Sequence, residues 1–428
     1  FQVLNRPQQT GKFNFATKFP YYKYTIRKPG FKGRRPVKNV VFDMDMSAGD
    51  FLALFYLLKL PFEIINLKAI IVSPTGWANA ATIDVIYDLL HMMGRDDILV
   101  GLGDYFALKQ NYPNYPSIGD CKYSQAIPHG SGGYLDSDTL YGFARDLPHS
   151  PRRYTADNSM KYGAPRDTEH PERRQPRALE VWKSVTNSLD KGSRVTILTN
   201  GPLTNVAEIV LSDENVTSHI EEIVIVGGLI RKRKNDIGNV INIPSNKYAE
   251  MNMFLDPLAA KTVFDSGCNI TLIPLNVQRT VRRLDKILWS LSLEVNTPEA
   301  LFAWRLLAIL HWLRASHPRL YQHVEIFSGE LLGAVTLGGD SSLKTRYSVR
   351  KVSVLAKGVQ SQDGQIIIDG KEGRPVKVLE YIDPQAYYTA FASQLGATDQ
   401  SAVIGSFEEQ RKIWSAGPQT KAASKKKP

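Results

Sequence analysis

The chain has 428 residues, 43% hydrophobic and 22% charged, enough apolar material for one large α/β domain or two ordinary ones and too much for a disordered chain. Its longest apolar run, 51–58, is far short of the roughly 20 residues that cross a bilayer, and its two cysteines, Cys121 and Cys268, exclude a disulfide scaffold and a thiolate zinc site while leaving open one disulfide or two thiols. The net charge of +11 sits at the ends: residues 1–38 hold ten Lys/Arg and no acid, the last eight residues add four lysines, and removing those fourteen from 53 leaves 39 basic groups against 42 acidic ones. A nucleic-acid binder carries its basic patch on the folded body. A solvated basic linker over 1–37 and a Lys-rich tail are therefore expected, with no nucleic-acid partner and no membrane span. The chain has neither an initiator Met nor the residue order of a signal peptide, which reads as a mature product or a piece of something longer.

From residue 37 onward, strand-like and helix-like segments alternate. Residues 40–42 (VVF) are wholly apolar, as in a strand buried on both faces. The spacing predicts a helix over 50–60, a strand over 67–72, a helix over 80–93 and a strand over 98–101. Residues 104–175, rich in Pro, Gly, Tyr and Asp, are predicted as long loops of the kind that carry function. A helix is predicted over 178–189, then strands over 195–198, 223–226 and 270–274 with helices between them. Strands over 348–355, 365–368 and 376–381 and a helix from Pro384 close the domain. The alternation implies an open, mostly parallel, Rossmann-like sheet with helices on both faces. It fills one domain over 38–396, followed by a C-terminal segment over 397–428.

Ligands of such sheets sit at the carboxyl ends of the strands. The polar residues there are Asp43, Asp45, Ser47 and Asp50 after the first strand, Ser73-Pro74-Thr75-Gly76 after the second, Thr199-Asn200-Gly201-Pro202 after the 195–198 strand, and Gly227-Gly228 after the 223–226 strand. Asp43, Asp45 and Asp50 place three carboxylates within eight residues. Clustered carboxylates repel unless a cation lies between them. Oxygen donors without Cys or His favour Ca²⁺ or Mg²⁺. The simpler reading of Asp50 as an N-terminal helix acid explains one carboxylate and not three.

VVFDMDMS at 40–47 fits the first motif of two families. In a haloacid-dehalogenase-like phosphatase, Asp43 would be the nucleophile, Asp45 the acid/base, and Thr199 would end the second motif. The rest of the chain points to the other family. LTNGPLTN at 198–205, IVGG at 225–228 followed by Gly238-Asn239-Val240, AEMNMFLDPLAA at 249–260 and His129-Gly130 are all unexplained by the phosphatase reading. Over roughly Lys38 to Tyr388 the chain resembles the inosine/uridine-preferring nucleoside hydrolases, and within them the second module of extracellular tandem purine hydrolases of plants.

The resemblance implies Ca²⁺-dependent hydrolysis of the N-glycosidic bond of ribonucleosides, purine nucleosides such as inosine or adenosine favoured, to ribose and free base. By the same resemblance Asp45 binds Ca²⁺ and takes the proton of the attacking water. Asp50, Glu330 and the backbone carbonyl of Asn200 complete the calcium shell. Asn239, Glu250 and Asn252 grip the ribose hydroxyls, His129 lies on a flexible substrate loop, and Asp43 orients its neighbours. Implied partners are a small ribonucleoside and a second copy of the chain or a tandem hydrolase module; the implied location is extracellular. Asn215-Val216-Thr217 and Asn269-Ile270-Thr271 are acceptor patterns for N-glycosylation.

Three positions depart from the family pattern. Gly49-Asp50 replaces two adjacent acids, Gly329-Glu330 replaces a His-Asp pair, and Gly76 replaces a ribose-binding Asn. Each lost transition-state hydrogen bond costs on the order of 2–4 kcal/mol. A hydrolase with a weakened or altered site is therefore expected, and a non-catalytic module that supports an active partner is the alternative expectation. Several residues also have local readings: Asn205 and Asp256 as helix caps, Glu250 and Asn252 as turn residues, His129 as an ordinary loop histidine and Arg231–Lys234 as a solvated loop.

Overall fold

The computed structural model describes residues 38–73, 83–104, 107–109, 145–150, 152–153, 176–213, 215–240, 243–318, 321 and 327–415. The basic segment 1–37, Gly76, Cys121, His129, most of the predicted 104–175 loops and the tail from 416 lie outside them. Cys268 is a half-buried free thiol.

The strands are β1 (Lys38–Met44), β2 (Ile65–Val72), β3 (Leu99–Leu102), β4 (Val195–Thr199), β5 (Ile220–Val226), β6 (Ile270–Ile273), β7 (Arg346–Val354), β8 (Ile366–Ile368) and β9 (Arg374–Tyr381). They form one sheet in the order β3-β2-β1-β4-β5-β6-β9-β7-β8. β1 to β6 and β9 run parallel, and β7 pairs antiparallel with β8 and β9. The helices are α1 (Ala48–Lys59), α2 (Ile83–Met92), α3 (Ala178–Asn187), α4 (Thr204–Leu211), α5 (Val216–His219), α6 (Met251–Leu255), α7 (Pro257–Asp265), α8 (Leu275–Gln278), α9 (Leu284–Ser292), α10 (Pro298–Ser316), α11 (Phe327–Leu337), α12 (Pro384–Gly396) and α13 (Phe407–Ser415).

The continuous apolar runs are explained by burial on both sides of the sheet. Val40, Phe42 and Met44 enter one core, with residues of α1, α2, α10, α11 and α12. Val41 enters the other, with residues of α3, α4 and α7. Full burial of each large side chain contributes about 1.5–3 kcal/mol. Every residue of α1 is buried, which is why that segment is apolar all round. The helix begins at Ala48 rather than at the expected residue 50, because the Ser47 hydroxyl accepts the Asp50 N–H at 3.1 Å and caps it.

The strand order reverses between β1, which leads on to β2, and β4 on its other side. The carboxyl ends of β1 and β4 therefore border the crevice where open α/β sheets hold ligands. Asp43 and Thr199 sit opposite one another at that crevice.

At the other end of α1, Lys59 is wholly buried. Its ammonium donates to Glu299 Oε1 at 2.7 Å, to Asp399 O at 2.8 Å and to Ala397 O. The second Glu299 oxygen accepts from Ser401 Oγ and Ala402 N, both at 3.2 Å. This pair fastens α1, α10 and residues 397–402 together. Lys59→Ala is expected to lower stability by about 3–5 kcal/mol, because it strands a buried carboxylate. A Lys59→Met/Glu299→Leu double variant should recover most of that loss. Urea unfolding of both variants checks this, and a double variant no more stable than the single one would refute it.

α10 starts at this floor, with Glu299 in its first turn. The chain returns to the rim at the start of α11, where Glu330 lies in the first turn. No described helix is long and apolar enough to cross a membrane.

Candidate active site

The turn from β1 into α1 is built around its carboxylates. Asp45 N donates to Asp50 Oδ2 at 2.7 Å, and Ser47 N donates to Asp45 Oδ1 at 3.3 Å. Met46, between them, is left-handed with φ 72°. That costs a non-glycine residue on the order of 1 kcal/mol or more and is held in place by the flanking bonds. Ser47 Oγ donates to Glu330 Oε2 at 2.5 Å, which brings the acid of α11 against the β1–α1 turn. The Asp45 carboxyl is pushed well above the usual range by burial first, then by the charges of Asp50 and Glu330. Burial also raises Asp50, against the hydrogen bond from Asn200. Asp50 is thus both a first-turn acid of α1 and a member of the cluster.

Asn200 joins this turn to its neighbours. Its Nδ2 donates to Asp50 Oδ1 at 2.8 Å and to Glu330 O at 3.2 Å. Its backbone carbonyl accepts from Asn252 Nδ2 at 2.6 Å. Its own Oδ1 is buried without a hydrogen-bond partner. Gly201 beside it lets the loop approach, since a Cβ there would stand 3.0 Å from Asp45 Cβ.

Asp43 is fully buried and encircled by donors. Thr199 Oγ1 donates at 2.9 Å, Asn205 Nδ2 at 2.9 Å and Ser73 Oγ at 3.2 Å. Desolvation pushes its carboxyl up to about 7 despite these bonds. Of the two readings of Asn205, the helix cap is not the one the structure has: Leu203 precedes α4, and the Asn205 amide reaches Asp43 and Ser73. Asp256 is the expected cap of α7, accepting Ala259 N at 3.0 Å ahead of Pro257.

The other predicted residues gather at the ends of β5 and α6. Glu250 precedes α6 and accepts Asn252 N at 3.2 Å and Gly228 N at 2.8 Å. Gly228 has φ +74°, a backbone state that glycine adopts without strain. Burial raises the Glu250 carboxyl. Asn252 Nδ2 also reaches Val226 O at 3.4 Å, and Asn239 Oδ1 accepts Met251 N at 2.7 Å. The expectation of Glu250 and Asn252 as turn residues is met in part, since Glu250 is a cap whose partners also tie it to β5. Arg231, Lys232, Arg233 and Lys234 form an exposed loop, as expected.

Thus Asp45, Asp50, Asn200 and Glu330 come together, with Asn252 joined to them through Asn200 and Glu250 beside Asn252. Among the described residues no three His, Cys, Asp or Glu side chains are grouped closely enough to hold an ion as they stand. The donor chemistry nonetheless suits a hard divalent cation: Asp45 and Asp50 bond one another, Glu330 acts on Asp45 through its charge, and the neighbouring carbonyls are oxygens. Sequence reading did not anticipate the Ser47–Glu330 bond or the place of Gln278. Gln278 Nε2 donates to Ile273 O at 2.8 Å, and its side chain stands where a side chain on Gly329 would point.

The fold is that of the nucleoside hydrolases. A solved plant nucleoside hydrolase superposes with a TM-score of 0.61 at 21% identity, covering 85% of this chain and all of that one. An inosine-uridine preferring nucleoside hydrolase from Bacillus anthracis gives 0.61 at 18%, covering 84% and 99%. Residues 40–389 match the family described as inosine-uridine preferring nucleoside hydrolase, and the chain belongs to that family, whose hydrolases act on N-glycosyl compounds. It is 59% identical to Nucleoside hydrolase 3 of Arabidopsis thaliana over 97% of its length and 57% identical to Nucleoside hydrolase 4 of the same plant over 98%. The chain spans 47% of the first relative and 76% of the second.

Proposed function

We propose that this chain hydrolyses the N-glycosidic bond of ribonucleosides, purine nucleosides such as inosine or adenosine preferred, to ribose and free base with Ca²⁺ as the resident ion. The observation that carries this reading is the buried carboxyl of Asp45 at the strand-order reversal, with Asp50 bonded to its N–H, Glu330 held by Ser47 in the same turn, and Asn200 joining those two acids to Asn252. Asp45, Asp50, Glu330 and the Asn200 carbonyl would hold the ion, which when bound would orient a water and make it more acidic. Asp45, ionised beside the cation, would accept the proton of that water. Asn239, Glu250 and Asn252 hold the sugar hydroxyls, and the carboxylates face the positive charge that develops on the ribosyl as the bond breaks. Asp43 fixes the end of β1 through Ser73, Thr199 and Asn205. His129 is proposed as a contact from its loop. The phosphatase reading is set aside, because a nucleophile enclosed by three donors is not presented to substrate.

The second reading, a module without catalysis that supports an active partner module or a second copy, is favoured by Gly49 and by Gln278 filling the space in front of Gly329. Ribose release from inosine, adenosine and uridine, with calcium added or chelated, decides between the two. Calcium-dependent release of ribose supports hydrolysis. No release from any of the three leaves the supporting module. We also propose action outside the cell. At Asn215 the acceptor Asn and its Thr217 are both exposed, as glycosylation requires, whereas Thr271 of the second pattern is buried.

A further inference from the structure

We propose that Gln278 is a substrate-binding, specificity-determining residue, whose side-chain oxygen accepts a hydrogen bond from an N–H or O–H group of the nucleoside. The inference rests on the nucleoside reading above. Gly329 stands in the first turn of α11, directly before Glu330, and α8 brings Gln278 against it. A Cβ on Gly329 would lie 2.7 Å from Gln278 Cβ and 3.2 Å from both its Cγ and its Oε1. The glutamine therefore occupies the volume that any side chain at 329 would need. Its orientation is fixed, because Nε2 donates to the carbonyl of Ile273 at 2.8 Å. That bond uses the amide as a donor at the sheet and leaves Oε1 on the side of position 329, next to the acid that Ser47 engages. Gln278 as a whole is 5% exposed, so little of the side chain meets bulk water.

An orientation-fixed carbonyl oxygen in a mostly buried side chain is a selective acceptor. It favours a ligand that brings a donor and penalises one that covers it without a donor, since the covered oxygen then loses its water unreplaced. An amide oxygen has no proton to give at neutral pH. The place in front of Gly329 thus supplies recognition rather than acid catalysis.

The donor can come from the base or from the sugar, and the test separates these. Binding of inosine is measured alongside 1-methylinosine, which lacks the base N–H, and the 2′-, 3′- and 5′-deoxy forms of inosine, each lacking one hydroxyl. The proteins are the full chain, Gln278→Met and Gly329→Ala, the last chosen because its new methyl must displace Gln278. In the unaltered chain one analogue should bind roughly fivefold or more weakly than inosine. In both variants that ratio should fall to about one, whichever way the absolute affinities move. A general loss of folding or packing would weaken inosine and its analogues alike and leave the ratio standing. If every ratio survives in both variants, Gln278 does not contact the ligand and the inference fails while nucleoside binding stands. If the unaltered chain binds neither inosine nor any analogue, the nucleoside reading and the inference fall together.

Discussion

Asp45→Ala is expected to cut ribose release from inosine by on the order of 10³-fold, within the range over which a positioned general base acts. The reason is the site's construction. Asp45 is 8% exposed, its backbone N–H is tied to Asp50 and its Oδ1 accepts from Ser47. The neighbouring Asp50 carboxyl is already engaged by the Asp45 N–H and by Asn200 Nδ2, Met44 and Met46 flank Asp45, and position 49 is glycine. Asp45→Asn, which keeps the shape and removes the basicity, should lose nearly as much and should remain folded. Initial rates of ribose formation measured with calcium held constant check both variants. Equal rates for the unaltered chain and Asp45→Ala would remove Asp45 from the mechanism.

The metal-free protein is expected to become less stable as pH rises from about 4 to about 7, and calcium to reverse that trend. Asp43 moves from an ordinary value of 3.8 to about 7 on folding, and Asp45 and Asp50 also move up, all chiefly by burial. A folded-state value above the unfolded one means that the native state holds more protons over that interval. The stabilisation is complete below the unfolded value and is lost as pH rises through the folded one. For Asp43 alone the effect is on the order of a few kcal/mol. A cation among ionised carboxylates offsets their repulsion, so the rise in melting temperature on adding calcium should be larger at pH 8 than at pH 5. Thermal unfolding in a chelator and then in millimolar calcium tests this. A calcium effect that is absent, or equal at the two pH values, would remove the ion from the site.

The sheet was legible because its strands are buried on both sides, so short runs such as VVF at 40–42 and IVIV at 223–226 carry no polar interruption. Its ends were less so: β1 and β7 start earlier than hydrophobicity indicates, at Lys38 and Arg346, because ladder bonds extend past the apolar residues. α13 lay hidden in a polar segment. Its place is set by partners distant in sequence, such as Gln410, which contacts residue 149. In the site, the acids of the β1–α1 turn could be read because they are close in sequence. Glu330 could be placed only by resemblance, since 283 positions separate it from Ser47. The part played by Asn205 was left open between a helix cap and a site residue, because the same amide chemistry serves a helix end or a buried carboxylate equally well. Gln278 gave no signal, because its importance lies in the absence of a side chain on Gly329.

Asn200 bonds Asp50 and Glu330 with its side chain and receives Asn252 on its backbone carbonyl. In the proposed hydrolase site one residue therefore bears on two tasks that selection would otherwise adjust separately, holding the acids and gripping the sugar. A change at position 252 will shift the acids as well, and a change at 330 will reach the sugar side. Improvement along this lineage is consequently pleiotropic, and laboratory evolution for a new sugar will succeed sooner by compensating pairs than by single steps.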